Sequence, residues 1–586
     1  MKLKTKNILK ACFSLGFLAT TSLVASSCVQ TKSTNPTNPT NPTNPTNPTN
    51  PANPTNPTNP TNPTNPTNPT NPTNPTNPTN PTNPTNPKNH DTIEFKNQLN
   101  TVISTKETNL AMYSDYSVIM SDLVKAYGDA KLVSDKENAT SEELTNAKTK
   151  LEEAIKKADA DKKKFNADNE ELVTAFNNLK TLIKQIDFDS LASEVKYTFI
   201  KNNIEPKYNP AHEIISKTLQ GEGINKNEIE SVKNELTSVS DGLEMKKKNA
   251  DELNDGVINK INDSEIHTSN NSSNTNSNSQ VNNIYSADVT LNWKYGLRKY
   301  KEGESWKNDE DTKWIYNLQG ENAKYELMFK NFASSNLKLV FPYKIMHTSY
   351  KDSTALTIKL NDANINSNIE FENVNKISLA IINLTDLKFG ENKLTFEVPS
   401  GKRNPLIGNI SLITDNGNLD NLIYKLNGQS KEDEKIKIDL FKAIGGSTRF
   451  ETYFSKMTQG DETHTILNRI GRFASNKDSN YTLGVYVAEQ GVYDVSISYN
   501  SDSESKLYIG TFNQEGNVDY PQNDKKIEIN SSNNRLTTNE EKIKVAGNND
   551  ELSIELKQGW NNIVLGKNNV QSPNIEFIYL KKKINN

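Results

Sequence analysis

The side chains able to do chemistry are few and scattered. Five histidines, His90, His212, His267, His347 and His464, include no pair at zinc-ligand spacing and no His-Glu-x-x-His motif. Gly445-Gly446-Ser447 is not a nucleophile elbow, and no phosphate-binding glycine loop occurs. His464 stands beside Asp461 and Glu462, which reads as a solvated loop. Asp309-Glu310-Asp311 could offer oxygens to calcium but lacks EF-hand spacing. The expectation is therefore a non-enzyme with no cofactor and no metal site. A formal net charge of -4 argues against nucleic acid as a partner, because phosphate binding needs a basic surface.

Four tryptophans remain: Trp293, Trp306, Trp314 and Trp560. Their rings could stack on the CH groups of a sugar, although in β structure a tryptophan more often builds core. Trp306 lies among Lys, Asp and Glu, so it is expected at the surface and is the candidate ligand-binding residue. Trp560 follows a glycine and is expected to close a sandwich.

The other reactive group is a thiol. The chain has two cysteines, Cys12 and Cys28. Lys2, Lys4, Lys6 and Lys10 precede an apolar stretch around Phe13, Leu15, Phe17, Leu18, Leu23 and Val24, too short and too interrupted to span a bilayer. This is the pattern of a secretory signal over residues 1–27. It ends Ala25-Ser26-Ser27-Cys28, which resembles the lipobox of bacterial lipoproteins. The resemblance implies cleavage between Ser27 and Cys28, acyl chains on the Cys28 sulfur, and attachment to the extracellular face of the cell membrane. Ordinary secretion with a free Cys28 is the other reading. Cleavage removes four lysines and no acid, and it leaves one cysteine, which cannot form an intrachain disulfide. Two acyl chains, at about 0.8 kcal/mol per buried CH₂, hold a protein on a membrane durably.

The elements that must position any site follow in order. Residues 28–90 form a stalk in which Asn-Pro-Thr recurs from Thr34 to Pro87 with one lapse, Ala52. Proline at every third place fixes φ and favours polyproline II, and at ~3.1 Å per residue the tract could reach on the order of 160 Å. Residues 91–266 read as a helical domain. Thr140-Ser141-Glu142-Glu143 is a capping box, and Leu144, Ala147, Leu151, Ala154, Ile155 and Ala158 follow at helical spacing. Further stripes run from Leu172 to Ile186 and from Ile229 through Leu236 to Leu243. Residues 267–283, nearly all Ser, Asn and Thr, read as a linker.

Beyond them the period shortens to two. Val485 and Val487, then Tyr493, Val495, Ile497 and Tyr499, alternate with polar neighbours across the turn Glu489-Gln490-Gly491. Short strands between Gly, Asn and Asp predict two antiparallel β-sandwich lobes, 284–415 and 430–586. The lobes look like one repeat. Phe389-Gly390-Glu391-Asn392 and Gln558-Gly559-Trp560-Asn561 each open a strand and lead to a closing strand at Asn409-Ile410 or Asn574-Ile575.

Three resemblances follow from these residues. Tyr127 to Ala158 is similar to short helical repeats of Gram-positive and mollicute surface proteins. The last lobe resembles jelly-roll carbohydrate-binding modules. Lys6-Asn7-Ile8-Leu9-Lys10, Ala25 to Cys28, Gly390 to Ile413 and Tyr481 to Tyr499 together resemble the variable haemagglutinin lipoproteins of avian mycoplasmas, although the Asn-Pro-Thr repeat departs from that family's mixed Pro/Gly-rich region. That family implies attachment to host-cell glycoproteins, often sialylated, and antigenic variation. The expected function is thus a lipid-anchored adhesin. A surface enzyme acting on host glycans or proteins, and a decoy coat lipoprotein, are the rival readings.

Overall fold

The computed structural model describes residues 87–267 and, with internal gaps, 289–584. The signal, Ser27, Cys28 and the Asn-Pro-Thr tract before Pro87 lie outside the described residues, as does the linker beyond His267. The described chain is helical first and β afterwards. It divides into two compact units between Val173 and Thr174, with Lys217–Gly223 belonging to the first.

In the first unit the helices Pro87–Ile103, Ser117–Asp135 and Ser141–Asp168 pack on one another. The third begins at the expected capping box: Thr140 Oγ1 accepts the Glu143 N–H at 3.2 Å, and the Thr140 N–H donates to Glu143 Oε2 at 2.8 Å. Two backbone donors at the helix start are thereby satisfied. Of the predicted stripe, Leu144, Ala147, Leu151 and Ala158 are buried, as are Ile119, Leu123 and Tyr127 on the preceding helix. Each fully buried leucine of this kind contributes roughly 1.5–3 kcal/mol. The opposite face carries the i,i+4 pairs Lys157–Asp161 and Lys164–Asp168.

In the second unit the β region is preceded by helices that include Phe188–Ser193, Thr198–Lys217, Lys226–Ser240 and Leu243–Asp255, with Glu170–Ile186 entering it from Thr174. The stripe from Ile229 to Leu243 is broken, because Gly242 turns into the left-handed region and Leu243 opens a new helix. Two contacts tie this segment to the strands. Phe199 packs edge-on against Phe389 at 5.4 Å, and Asn249 bonds the backbone at Lys330 and Phe332. Within the stretch read as helical, Val257–Asn259 and Ile266–His267 are strands, pairing with Ile410–Thr414 and Lys324–Asn331. They are too short to show a period, and their pairing partners lie far along the chain.

The β region uses one topology twice. In the first repeat one sheet runs Ile266–His267, Lys324–Asn331, Gly390–Glu397, Thr357–Leu360, Ala363–Ile365. Across from it, Val257–Asn259 pairs with Ile410–Thr414, which pairs with Leu337–Lys344, which also pairs with Ser378–Leu384. In the second repeat the first sheet is Gly445–Ser447, Asn480–Val487, Gly559–Gly566, Ser505–Phe512, Val518–Asp519. Its facing strands are Lys435–Asp439, Asn574–Lys582, Gly491–Asn500 and Ser553–Leu556, paired in the same order. Residues alternate inward along each strand, so the two faces close over a core. Phe341 meets Phe396 edge-on at 5.5 Å in the first repeat; Leu483, Val485, Ile563 and Leu565 meet Val495, Ile497, Ile578 and Leu580 in the second. The turn at Glu489-Gln490-Gly491 therefore carries the chain from one sheet to the other and does not close a hairpin.

The repeat holds at atomic detail. Gly390 and Gly559 sit at φ 104° and 95°, a region that favours glycine. Two residues on, Asn392 accepts the Lys388 N–H at 3.0 Å and donates to the Lys388 and Gly390 carbonyls. Asn561 does the same with Lys557 and Gly559. Each repeat also carries a hairpin inserted between the first two strands of its sheet: Tyr295–Glu302 with Ser305–Ile315, and Tyr453–Gln459 with Glu462–Asn468. The two hairpins join in parallel, Phe454 opposite Tyr300 and Ser455 opposite Lys301, so that one 16-stranded sheet runs through both repeats.

Candidate functional site

The junction of the two hairpins sets the exposed Trp306 beside half-buried aromatic and cationic groups. Strand alternation places Lys299, Lys301, Trp306 and Tyr453 on one face, with Tyr300 and Phe454 on the other. The other face is anchored in the core: Tyr300 packs on Phe441 at 5.5 Å, and Phe441 on Phe454 at 5.3 Å. Arg298, 3 % exposed, reaches from the first repeat into the second. Its guanidinium donates to the carbonyls of Phe441 and Ala443 and lies 5.1 Å from the Phe454 ring centre. These contacts hold the strands that present the outward face.

On that face Trp306 is 42 % exposed. Its ring meets Tyr453 edge-on at 5.8 Å. Lys299 Nζ lies 4.5 Å and Lys301 Nζ 5.5 Å from the indole centre, and Lys301 is also 5.4 Å from the Tyr453 ring. Such cation–π contacts hold the ammonium groups over the rings at about 0.5–1 kcal/mol each. The arrangement offers an apolar π surface beside positive charge. Sequence reasoning singled out Trp306 but not Tyr453, whose place beside it depends on pairing between strands far apart in the chain.

The other tryptophans do different work. Trp293 is outside the described residues. Trp314 is buried in a core cluster that joins the repeats. Trp560 does not close the sandwich. It lies on the outer face of its sheet, above Gly484, and its indole N–H donates to the Ile377 carbonyl of the first repeat at 2.7 Å. Asn562 bonds both the N–H and the carbonyl of the same residue. Beside it Tyr486 donates to Asp420 at 2.5 Å, and burial, with that hydrogen bond, raises the phenol well above its usual range.

His464 is not in a solvated loop. It lies in the strand Glu462–Asn468, and its Nδ1 is 2.9 Å from Glu576 Oε1. Burial pushes the Glu576 carboxyl up, and the His464 hydrogen bond opposes it. No local signal could reveal a partner 112 residues away. His267 lies 3.8 Å from Glu326, His212 packs on Tyr208, and His347 falls outside the described residues. In the acidic run, Asp311 pairs with Lys260 at 2.5 Å and Glu310 with Lys313 at 3.8 Å. Gly445-Gly446-Ser447 is a strand paired with Asn480–Val487. Among the described residues no group of histidines, cysteines and carboxylates is placed to hold a metal, and no helix is long and apolar enough to cross a membrane.

Comparison with known proteins follows this division of the chain. Residues 265–375 and 372–469 match the Mycoplasma haemagglutinin family, covering the first repeat and the second as far as its hairpin. Residues 95–159 and 175–244 each match the FIVAR domain. The haemagglutinin match thus follows two FIVAR matches along the chain, in keeping with the resemblances seen at Gly390 to Ile413 and Tyr127 to Ala158. No curated protein matches at the level of sequence. Among solved structures the chain is similar to an isomalto-dextranase from Arthrobacter globiformis T6, at 12% identity over 51% of this chain and 39% of that one, with a TM-score of 0.21. A Paenibacillus xanthan lyase shows 11% identity over 47% and 24%, with a TM-score of 0.18. A family 35 carbohydrate binding module from Clostridium thermocellum shows 12% identity over 25% and 98%, with a TM-score of 0.17. The chain spans less than half the length of the first two.

Proposed function

We propose that this protein is a surface adhesin of haemagglutinin type, anchored in the cell membrane through acyl chains on Cys28, that attaches to host glycoproteins, sialylated ones among them. The haemagglutinin match over residues 265–469 carries the reading. The lipobox-like Ala25-Ser26-Ser27-Cys28 and the proline stalk behind it support presentation outside the cell. The exposed Trp306 with its lysines supports contact with sugars. In this reading the protein binds without catalysis or cofactor, and its surface varies antigenically.

Weak sugar contacts gain from many copies on one surface. Beads densely coated with the full chain should agglutinate erythrocytes and capture a sialoglycoprotein from solution. Coated beads that do neither, at any density, overturn the proposal. The anchor has its own test: in Triton X-114 partition of the expressing cells, wild-type protein enters the detergent phase and Cys28→Ser enters the aqueous phase.

A further inference from the structure

The seam between the repeats joins two hairpins, one from each, and the same seam sets the exposed Trp306 beside the half-buried Lys299, Lys301 and Tyr453. We propose that Trp306, Lys299 and Lys301 of the first repeat and Tyr453 of the second form one composite subsite for an acidic sugar, a saccharide bearing a carboxylate or a sulfate. The proposal rests on the adhesin reading and specifies where and how that adhesin meets its ligand.

Register fixes the plate. Asn308, Lys299 and Tyr453 lie side by side in one row across the sheet, and Trp306, Lys301 and Ser455 in the next. The four side chains therefore share a face whatever their rotamers. The opposite face is tied down by Arg298, Tyr300 and Phe454, so the plate stands on rigid strands.

Charge decides the class of ligand. Lys301 makes no ion pair among the described residues; its ammonium sits against the Trp306 and Tyr453 rings. Glu302, the next residue, points to the other face and is held there by Lys456 at 2.8 Å. An anion can take up the Lys301 ammonium without displacing a carboxylate. A neutral sugar would use the indole alone and leave that charge unspent. A charge-assisted hydrogen bond is markedly stronger than a neutral one, so the acid sets the preference.

The site also needs both repeats. The parallel pairing of Tyr453–Gln459 with Tyr295–Glu302 is what brings Tyr453 to Trp306. A change in the second repeat should thus weaken a site whose tryptophan lies in the first.

The test uses the full chain on beads against multivalent conjugates of a sialylated trisaccharide, a sulfated disaccharide and neutral lactose, with a single-stranded oligonucleotide as a further polyanion. Parent beads should bind at least one acidic conjugate at least tenfold more tightly than lactose. Trp306→Ala should weaken that binding at least tenfold, and Trp306→Tyr should recover most of it. Lys301→Gln should erase the preference over lactose, and Lys301→Arg should keep it. Tyr453→Ala should weaken binding three- to tenfold. Thermal melts matching the parent exclude a folding defect. Which acidic conjugate binds tells a carboxylate from a sulfate as the recognised group. Equal binding of the oligonucleotide overturns the assignment to sugars. Parent beads that agglutinate cells while Trp306→Ala and Lys301→Gln agglutinate them equally well overturn this site and leave the adhesin reading standing; parent beads that bind no cell and no glycoprotein remove both.

Discussion

The two repeats share a topology and differ on the outer faces of their first sheets. In the first, Lys324, Glu326, Lys393 and Asp362 form a lattice of ion pairs, Lys359 pairs with Glu397, and Met328 stands 57 % exposed between them. In the second, Asn480, Thr482, Gly484 and Asn562 stand at the places of Lys324, Glu326, Met328 and Lys393, and Tyr486 and Trp560 at those of Lys330 and Glu391. There Tyr486 joins a buried cluster with Leu422, Ile423 and Leu426 of the helix Leu419–Leu426, and Trp560 packs against it. Strand pairing uses the backbone and the inward side chains, so the same topology accommodates different outward residues. One repeat presents a charged surface there, and the other an internal joint.

The comparison can be broken hardest at the joint. Arg298→Ala removes charged hydrogen bonds to carbonyls of the second repeat and leaves them buried, so it should cost about 3 kcal/mol or more. Urea unfolding of the full chain would register this as a lower midpoint or as two transitions; a single unchanged transition would show that the repeats do not depend on the link.

A second contrast lies at the ends of the equivalent strands Leu337–Lys344 and Gly491–Asn500, where one repeat buries a lysine and the other an asparagine. Burial lowers the Lys344 ammonium from 10.5 to about 8. Between those values the unfolded chain binds the extra proton, so stability should rise with pH, by up to about 1.4 kcal/mol per pH unit, and the charged form should cost stability below pH 8. Lys344→Met should be more stable than the parent at pH 7 and should flatten that rise. A parallel pH dependence for the two proteins would refute it.

Equivalent positions in the outer sheets sharpen the contrast further. A Cβ at Gly484 would come within 2.1 Å of the Trp560 ring. Gly484→Ala should therefore cost about 1–3 kcal/mol, whereas Met328→Ala on the open face should stay within about 0.5 kcal/mol. Paired thermal melts would decide it, and equal losses would mean that both faces are covered. The smallest effect tests what the repeats share. Asn561→Ala should cost about 1 kcal/mol and Asn392→Ala more, since the two asparagines make the same three bonds and the buried Asn392 also accepts from Asn361 Nδ2 at 2.9 Å.

Local features are legible in the order of residues alone. The capping box at Thr140 and Glu143, the apolar stripe from Leu144 to Ala158, and the two glycine turns at Gly390 and Gly559 each involve residues within a few places of one another, and each occurs as read. The closing strands after those turns are legible for the same reason. Three features are not. The strands Val257–Asn259 and Ile266–His267 exist through partners at 410–412 and 324–325. His464 takes its setting from Glu576. Trp560 turns outward, and its hydrogen-bond partner Ile377 stands 183 residues away.

By itself, then, the amino-acid sequence determined where helices begin, where strands alternate and where the chain turns, because a few neighbouring side chains and backbone groups settle those energies. Only the folded chain decided which outward face is buried and which tyrosine stands beside Trp306, because those depend on hydrogen-bond register between strands that meet only once both repeats are in place.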